Sequence, residues 1–419
     1  MTTNRVAGAL KAMTAPAPLA PVAAERAAEA RPAAPPGDEI GIAVPAAVPD
    51  LSERLPEDVA LLKVIAVDDV PGRYRFRLEG YFRGRVWSTD ESDESAHLRP
   101  GLTIDDALEA GDDTALDAAV DYYEFIMAWS STKHALREWL TRLHRTVGTF
   151  HRLIIWDDTD TGIPWELLRL TFGDEHLWLG ADFEVTRWTT IHDTGRHHQF
   201  SAMDEQVRSG GEILCYEDRD LVSRAGLSIS SVAACSSRET LVALLRDLDL
   251  EEQRYGLVYV RAHGEYGADL RSAKLGGIPL SRFETLRLRA MRASGSVVML
   301  NACNSARPVF DPAMGDRANR NFAEVFLRRH ARAVLATMGE VPTGSSAALA
   351  RRLIVLARSG GVRIPEFLRQ HRAGSARGLP ADTLTLDPEQ REAIRDFLYA
   401  SRYVYFGHPD AVFVLGEPS

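Results

Sequence analysis

Cysteine is scarce. Three residues in 419, Cys215, Cys235 and Cys303, with no CxxC spacing, are too few and too irregular for a disulfide framework or a structural zinc site. Positive charge is not in excess either: a formal net charge of -10 and a pI near 5.7 exclude a general nucleic-acid binder, which needs a basic surface. Nowhere do about 18 apolar residues run together without charges, and no apolar segment of signal-peptide type opens the chain, so the sequence reads as having no membrane partner. A reducing, cytoplasmic setting fits this cysteine usage. No self-similar period of 20 to 50 residues marks a solenoid. Gly210-Gly211 and Gly360-Gly361 lack the Lys-Ser/Thr of a phosphate loop and read as turns. His192, His197 and His198 lack carboxylate support and read as exposed loop, so no metal and no cofactor is expected.

What is present is a globular composition, 45% hydrophobic and 26% charged. Residues 1–50 hold 8 of the 21 prolines and much alanine with no aromatic residue, and read as a disordered leader. Residues 51–115 read as a small β-containing segment, where Tyr74, Phe76 and Leu78 alternate with Arg75, Arg77 and Glu79, and a second strand returns around Tyr81 to Trp87. The third unit, 116–419, opens with helical spacing from Leu116 to Val147, one long helix or two shorter ones.

Short apolar strands then alternate with helical patterns. The strands are Leu153 to Trp156, Glu184 to Trp188, Ile213 to Cys215, Leu257 to Ala262, Val297 to Ala302, Ala333 to Thr337 and Tyr403 to Phe406. The helices run Glu239 to Leu248, Asn321 to Arg329 and Ser346 to Arg358. This alternation predicts an α/β fold with a mainly parallel central sheet covered by helices on both faces.

Two strands deliver chemistry. Leu257 to Ala262 runs into His263-Gly264, and Val297 to Ala302 runs into Cys303. If the strands are parallel neighbours, both side chains leave the same edge of the sheet, where open α/β folds place their sites. The imidazole of His263 can take the proton of the Cys303 thiol, since a thiolate is the nucleophile. Gly264 leaves room for a substrate carbonyl, so its amide and that of Cys303 can form an oxyanion hole. On the pair alone, a buried structural thiol and a turn histidine remain the more ordinary reading.

The surrounding segments resemble the CHAT peptidases of the caspase-like clan. VYVRAHGEYG is similar to that family's strand followed by His-Gly, and VVMLNACNSA to its strand ending in Asn-Ala-Cys. NFAEVFLRRHARAVLATMGEV resembles the helix and strand after the nucleophile, YVYFGHPDAVFVL the closing segment, and LIIWDDTDTGIPWELLRL the family's Pro-Trp-Glu-Leu element. The resemblance spans about Leu116 to Leu415. It implies a caspase-like sandwich, His263 as base, Cys303 as nucleophile, and a substrate groove lined by the loop after Ala336. Pro164-Trp165-Glu166 are expected to buttress the fold.

The resemblance also places the residue two before the nucleophile in the pocket for the side chain preceding the scissile bond. Here it is Asn301, a neutral amide that cannot supply the carboxylate of a strict arginine pocket. Glu340, Glu265 and Asp269 are the nearest alternative acids by their loops. Asn304 to Arg320 mixes turn formers with charges and reads as a mobile loop. The expected function is a cysteine endopeptidase acting on a protein substrate in a regulated prokaryotic defence or cell-fate pathway. Only about 65 residues of ordered pattern precede Leu116, so activation is expected from a separate protein or from cleavage of this one. The alternative class is a CHAT-fold scaffold or binding module whose dyad is silent. A nucleotide sensor ranks last, because no glycine-rich fingerprint follows an early strand.

Overall fold

Uninterrupted apolar runs are buried only where both sides of a strand are covered, and the longest such runs build the centre of the sheet. The computed structural model describes residues 59–66, 73–82, 85–88, 97–98, 112–147, 152–157, 159, 162–172, 175–189, 191–193, 196–198, 209, 211–250, 253–311, 320–380 and 382–416. The expected leader at 1–50, the loop from Asp90 to Ala96 and most of the loop after Asp311 lie outside them.

Among the described residues, twelve strands join one sheet. In chain order they are β1 (Val59–Ala66), β2 (Arg73–Phe82), β3 (Arg85–Ser88), β4 (His97–Leu98), β5 (Arg152–Asp157) and β6 (Glu184–Trp188). They continue with β7 (Glu212–Glu217), β8 (Cys235–Arg238), β9 (Tyr255–Arg261), β10 (Val297–Asn301), β11 (Ala333–Thr337) and β12 (Tyr403–Phe406). The spatial order is β8-β7-β9-β10-β11-β12-β6-β5-β1-β2-β3, with β4 beside β2. Strands β8, β7, β9, β10 and β11 are mutually parallel. Strands β12, β6, β5 and β1 form a second parallel block. The two blocks meet antiparallel between β11 and β12. The mixed α/β class with a mainly parallel central sheet is therefore the one expected from the alternation of elements.

The hairpin of the 51–115 segment is not set apart from the sheet: β1 pairs with β5 in parallel and with β2 antiparallel. Residues Leu55–Ser419 form one compact unit. The helical stretch from Leu116 is two helices, α1 (Asp112–Ser131) and α2 (His134–Val147). The break is marked by Thr132, whose hydroxyl bonds the Trp129 carbonyl at 2.7 Å. The remaining longer helices are α3 (Arg219–Ala225), α4 (Leu241–Leu248), α5 (Phe322–Arg328), α6 (Thr343–Arg358), α7 (Ile364–Ala376) and α8 (Pro388–Ala400). One core unites β1, β2, β5 and β6 with α1, α2 and α8 through Tyr74, Trp165, Ile126 and Phe397. Another unites β7, β9, β10, β11 and β12 with α6 and α7 through Tyr259, Met299, Leu353 and Phe367.

Helix α6 shows how the sequence sets this second core. Ser346, Leu349, Ala350, Leu353, Ile354 and Ala357 are buried at a spacing of three, four and one residues, a single helical stripe. The stripe lies on the face of β9 and β10 that carries Tyr259 and Asn301. No helix among the described residues is long and apolar enough to cross a membrane.

Candidate active site

Strands β9 and β10 pair in parallel register, Leu257 with Val297 and so on to Arg261 with Asn301. His263 and Cys303 each follow two residues after that last pair, so the two side chains leave adjacent strands at matched positions. The loops then touch. A methyl group added to Gly264 would sit 1.8 Å from the Cys303 carbonyl oxygen and 3.0 Å from its nitrogen. Only a residue without Cβ lets the backbone after His263 lie this close to the backbone of Cys303.

Each loop is pinned by its own strand neighbours. The His263 carbonyl accepts the Gly276 amide at 2.8 Å, and Gly264–Glu265 pairs antiparallel with Lys274–Leu275. On the other side, Asn304 takes a left-handed conformation at φ 58° immediately after the half-buried Cys303. Its amide bonds the Gly339 carbonyl at 3.1 Å, and the Ala306 amide bonds the Thr337 carbonyl at 2.8 Å. The Thr337 amide returns a bond to the Ser305 hydroxyl at 3.1 Å. The turn carrying Cys303 is thus laced to the end of β11. Tyr266 joins the two loops, donating its hydroxyl to the Pro308 carbonyl at 3.2 Å while the Arg307 guanidinium lies 3.6 Å from its ring centre.

Asn301 lies beneath this turn and is 3% exposed. Its Nδ2 donates to Tyr259 Oη at 3.0 Å and to the Ser346 carbonyl at 3.1 Å, and its Oδ1 accepts from Tyr403 Oη at 3.2 Å. The amide is therefore occupied on both ends within the interior. Burial pushes both tyrosine hydroxyls well above their ordinary range, so they act as neutral donors and acceptors. The three acids singled out in the sequence sit apart from this network. Glu265 pairs with Lys274 Nζ at 2.8 Å on the surface. Asp269 accepts the Ser272 and Arg271 amides, both at 2.8 Å, and those backbone donors hold its carboxyl below the usual range. Glu340 is exposed just beyond β11.

Sequence reasoning missed three charged groups at the same edge. Arg261, 1% exposed, donates to the carbonyls of Leu227 and Leu221, each at 2.8 Å, and of Thr343 at 3.2 Å. Its Nη1 lies 3.5 Å from Glu217 Oε1, the cross-strand partner in β7. Helix α3 begins directly after β7, with Asp218 as its cap accepting the Asp220 amide. It carries Asp220 to 3.9 Å from His263, Oδ2 to Nε2. The strand Ile213 to Cys215 and the run Glu217-Asp218-Arg219-Asp220 were visible, but the adjacency of β7 and β9 was not.

The imidazole, the thiol and two backbone amides at one edge of a parallel block are the groups needed for nucleophilic attack on a carbonyl. Residues 216–382 match the CHAT domain family. The match covers about two fifths of the chain and includes both His263 and Cys303. The matched region runs from the end of β7 through β11 to the segment after α7 and is similar to a CHAT domain. No curated protein is matched by sequence. Among solved structures, the chain is similar to two of the Saccharomyces cerevisiae separase–securin complex. One gives a TM-score of 0.45 at 9% identity over 87% of this chain and 31% of that chain. The other gives 0.49 at 10% identity over 85% and 30%. The chain spans less than a third of those chains.

The histidines at 192, 197 and 198 were expected in an exposed loop. Their backbone instead forms a two-stranded hairpin, Ile191–Asp193 with Arg196–His198, in which His192 lies opposite His197. Among the described residues no group of three or more His, Cys, Asp or Glu is placed to hold a metal ion.

Proposed function

We propose that this chain is a cysteine endopeptidase that cleaves a protein substrate through His263 and Cys303. The observation that carries the reading is the matched exit of the two residues from β9 and β10, with Gly264 pressed against the Cys303 backbone. His263 takes the thiol proton, and Cys303 Sγ attacks the carbonyl carbon of the scissile bond. The amides of Gly264 and Cys303 hold the oxyanion. The C–N bond then breaks, the imidazolium gives its proton to the departing amine, and water hydrolyses the thioester with His263 as base.

Asn301, with its amide used in the interior, supports from beneath the pocket for the residue before the scissile bond, and Glu340, Glu265 and Asp269 are the nearest acids by their loops. The substrate and a separate activating protein, or an activating cleavage, belong to a defence or cell-fate pathway in the cytoplasm. The resemblance of the sequence to CHAT peptidases and the match over residues 216–382 support the class of reaction.

The test incubates wild type and Cys303→Ala with candidate proteins encoded beside the gene and maps new termini by mass spectrometry. New termini with wild type alone are expected, and their sequence reads the preferred residue. Cleavage that persists in Cys303→Ala would overturn the mechanism.

A further inference from the structure

We infer that Asp220 is a positioning residue for His263, orienting the imidazole and stabilising its protonated form; this rests on the reading of His263 as the base. Asp220 Oδ2 lies 3.9 Å from His263 Nε2, and both side chains are about half exposed, at 54% and 55%. Nε2 thus faces the carboxylate, and in this role Nδ1 is the nitrogen that takes the thiol proton. The distance is one small rotamer change, or one bridging water, from a hydrogen bond, and such contacts often tighten only when substrate binds.

The placement is built by the strand that carries the base. The Asp218 amide bonds the Arg261 carbonyl at 2.9 Å, and the Arg261 guanidinium grips the carbonyls of Leu221 within α3 and of Leu227 just beyond its cap Gly226. Strand β9 thus fixes both His263, two residues beyond Arg261, and the helix that presents Asp220. Arg224, one turn along the same helix, competes for the same oxygen, its Nη2 lying 2.8 Å from Asp220 Oδ2.

When Cys303 gives its proton to His263, the imidazolium gains a carboxylate neighbour on the side away from the thiolate, so the charge-separated pair is favoured over the neutral one. No atom is transferred to Asp220. Because both groups face solvent, the effect is moderate.

The experiment follows alkylation of Cys303 by iodoacetamide from pH 5 to 9.5, in the full chain with Cys215 and Cys235 replaced by alanine. This needs no substrate. Asp220→Asn is expected to slow alkylation near pH 6 by about 3- to 10-fold and to converge with the parent above pH 9, where the thiol ionises without help. Arg224→Ala, which frees the carboxylate for His263, is expected to move the low-pH limb the opposite way. Circular dichroism and melting confirm that both variants fold. Equal profiles for Asp220→Asn and the parent, or the same direction of change in both variants, would overturn the role of Asp220. If the parent shows an ordinary thiol profile that His263→Ala leaves unchanged, the dyad itself is at fault and the inference falls with it.

Discussion

The backbone of Gly264 lies against the carbonyl of Cys303 with no room for a side chain between them. This contact joins the loop after His263 to the loop of Cys303, so Gly264→Ala must push the two apart. A misplacement of about 1 Å in a reacting pair can cost about 100-fold in rate. If the proposed function holds, peptidase activity falls by at least about that factor, and stability is lower by about 1 to 3 kcal/mol from overpacking. Urea unfolding and cleavage assays on the same preparation check both.

Asn301 spends its amide on Tyr259, Tyr403 and the Ser346 carbonyl. In Asn301→Asp the ionised form has no donor for that carbonyl and places a charge in the interior, which costs about 1 to 3 kcal/mol or more. Burial raises the new carboxyl above its unfolded value, so the folded state holds the proton longer than the unfolded one. Stability relative to wild type is then nearly kept near pH 4 and lost as pH rises. Denaturation at pH 4.5 and at pH 8 should show a small deficit at the first and a larger one at the second.

The residues around this site explain which parts of the fold were legible. Strands β9, β10, β11 and β12 are buried on both faces, so their apolar runs stand out. Edge strand β8, Cys235-Ser236-Ser237-Arg238, buries little and carries no such signal. Strand β1 is apolar almost throughout and has no period by which strand and helix can be told apart. Helix α8 had a readable start, a capping box between Asp387 and Gln390 with Pro388 in the first turn, yet its stripe of Ile394, Phe397 and Leu398 is short. His263 and Cys303 were legible because each ends an apolar strand. Asp220 was not, because its nearness to His263 depends on strand order across the sheet, which no local pattern encodes.

The three thiols should separate by reactivity. A hydrogen bond with Cys235, 3.0 Å away, and burial push the Cys215 thiol far above its ordinary range, while the same bond draws Cys235 down. Limited iodoacetamide labelling at pH 7.5, followed by peptide mass spectrometry, is expected to mark Cys303 first, Cys235 next and Cys215 last. His263→Ala should slow labelling of Cys303 and leave Cys235 unchanged.

Glu324 on α5 gives a pH signature where the chain leaves the loop that follows Cys303. Burial pushes its carboxyl up to about 7, with Glu284 adding to the shift and Arg328, Arg320 and Arg329 opposing it. The folded state therefore keeps a proton that the unfolded chain releases near the ordinary glutamate value, and stability falls as pH rises through that window. Wild type should lose stability relative to Glu324→Gln between about pH 4.5 and pH 7, by on the order of 3 kcal/mol at most. Parallel pH-dependent unfolding curves for the two proteins would contradict the assignment.

Glu166 and Arg187 form a bidentate ion pair that is almost wholly buried, and the guanidinium also bonds the Ile163 carbonyl at 3.0 Å. Burial works against the Glu166 charge, but Arg187 outweighs it and holds the carboxyl below the usual range. The pair's contribution is thus present above the unfolded glutamate value and is lost as pH falls through the folded one. Glu166→Ala strands the guanidinium in the interior and should cost about 3 to 5 kcal/mol, whereas Glu166→Leu with Arg187→Met should recover much of it. If the role is to hold Trp165 and its neighbours in the core, iodoacetamide labelling of Cys303 in the folded single variant will match wild type. A large fall in that rate under folding conditions would instead place Glu166 in the chemistry.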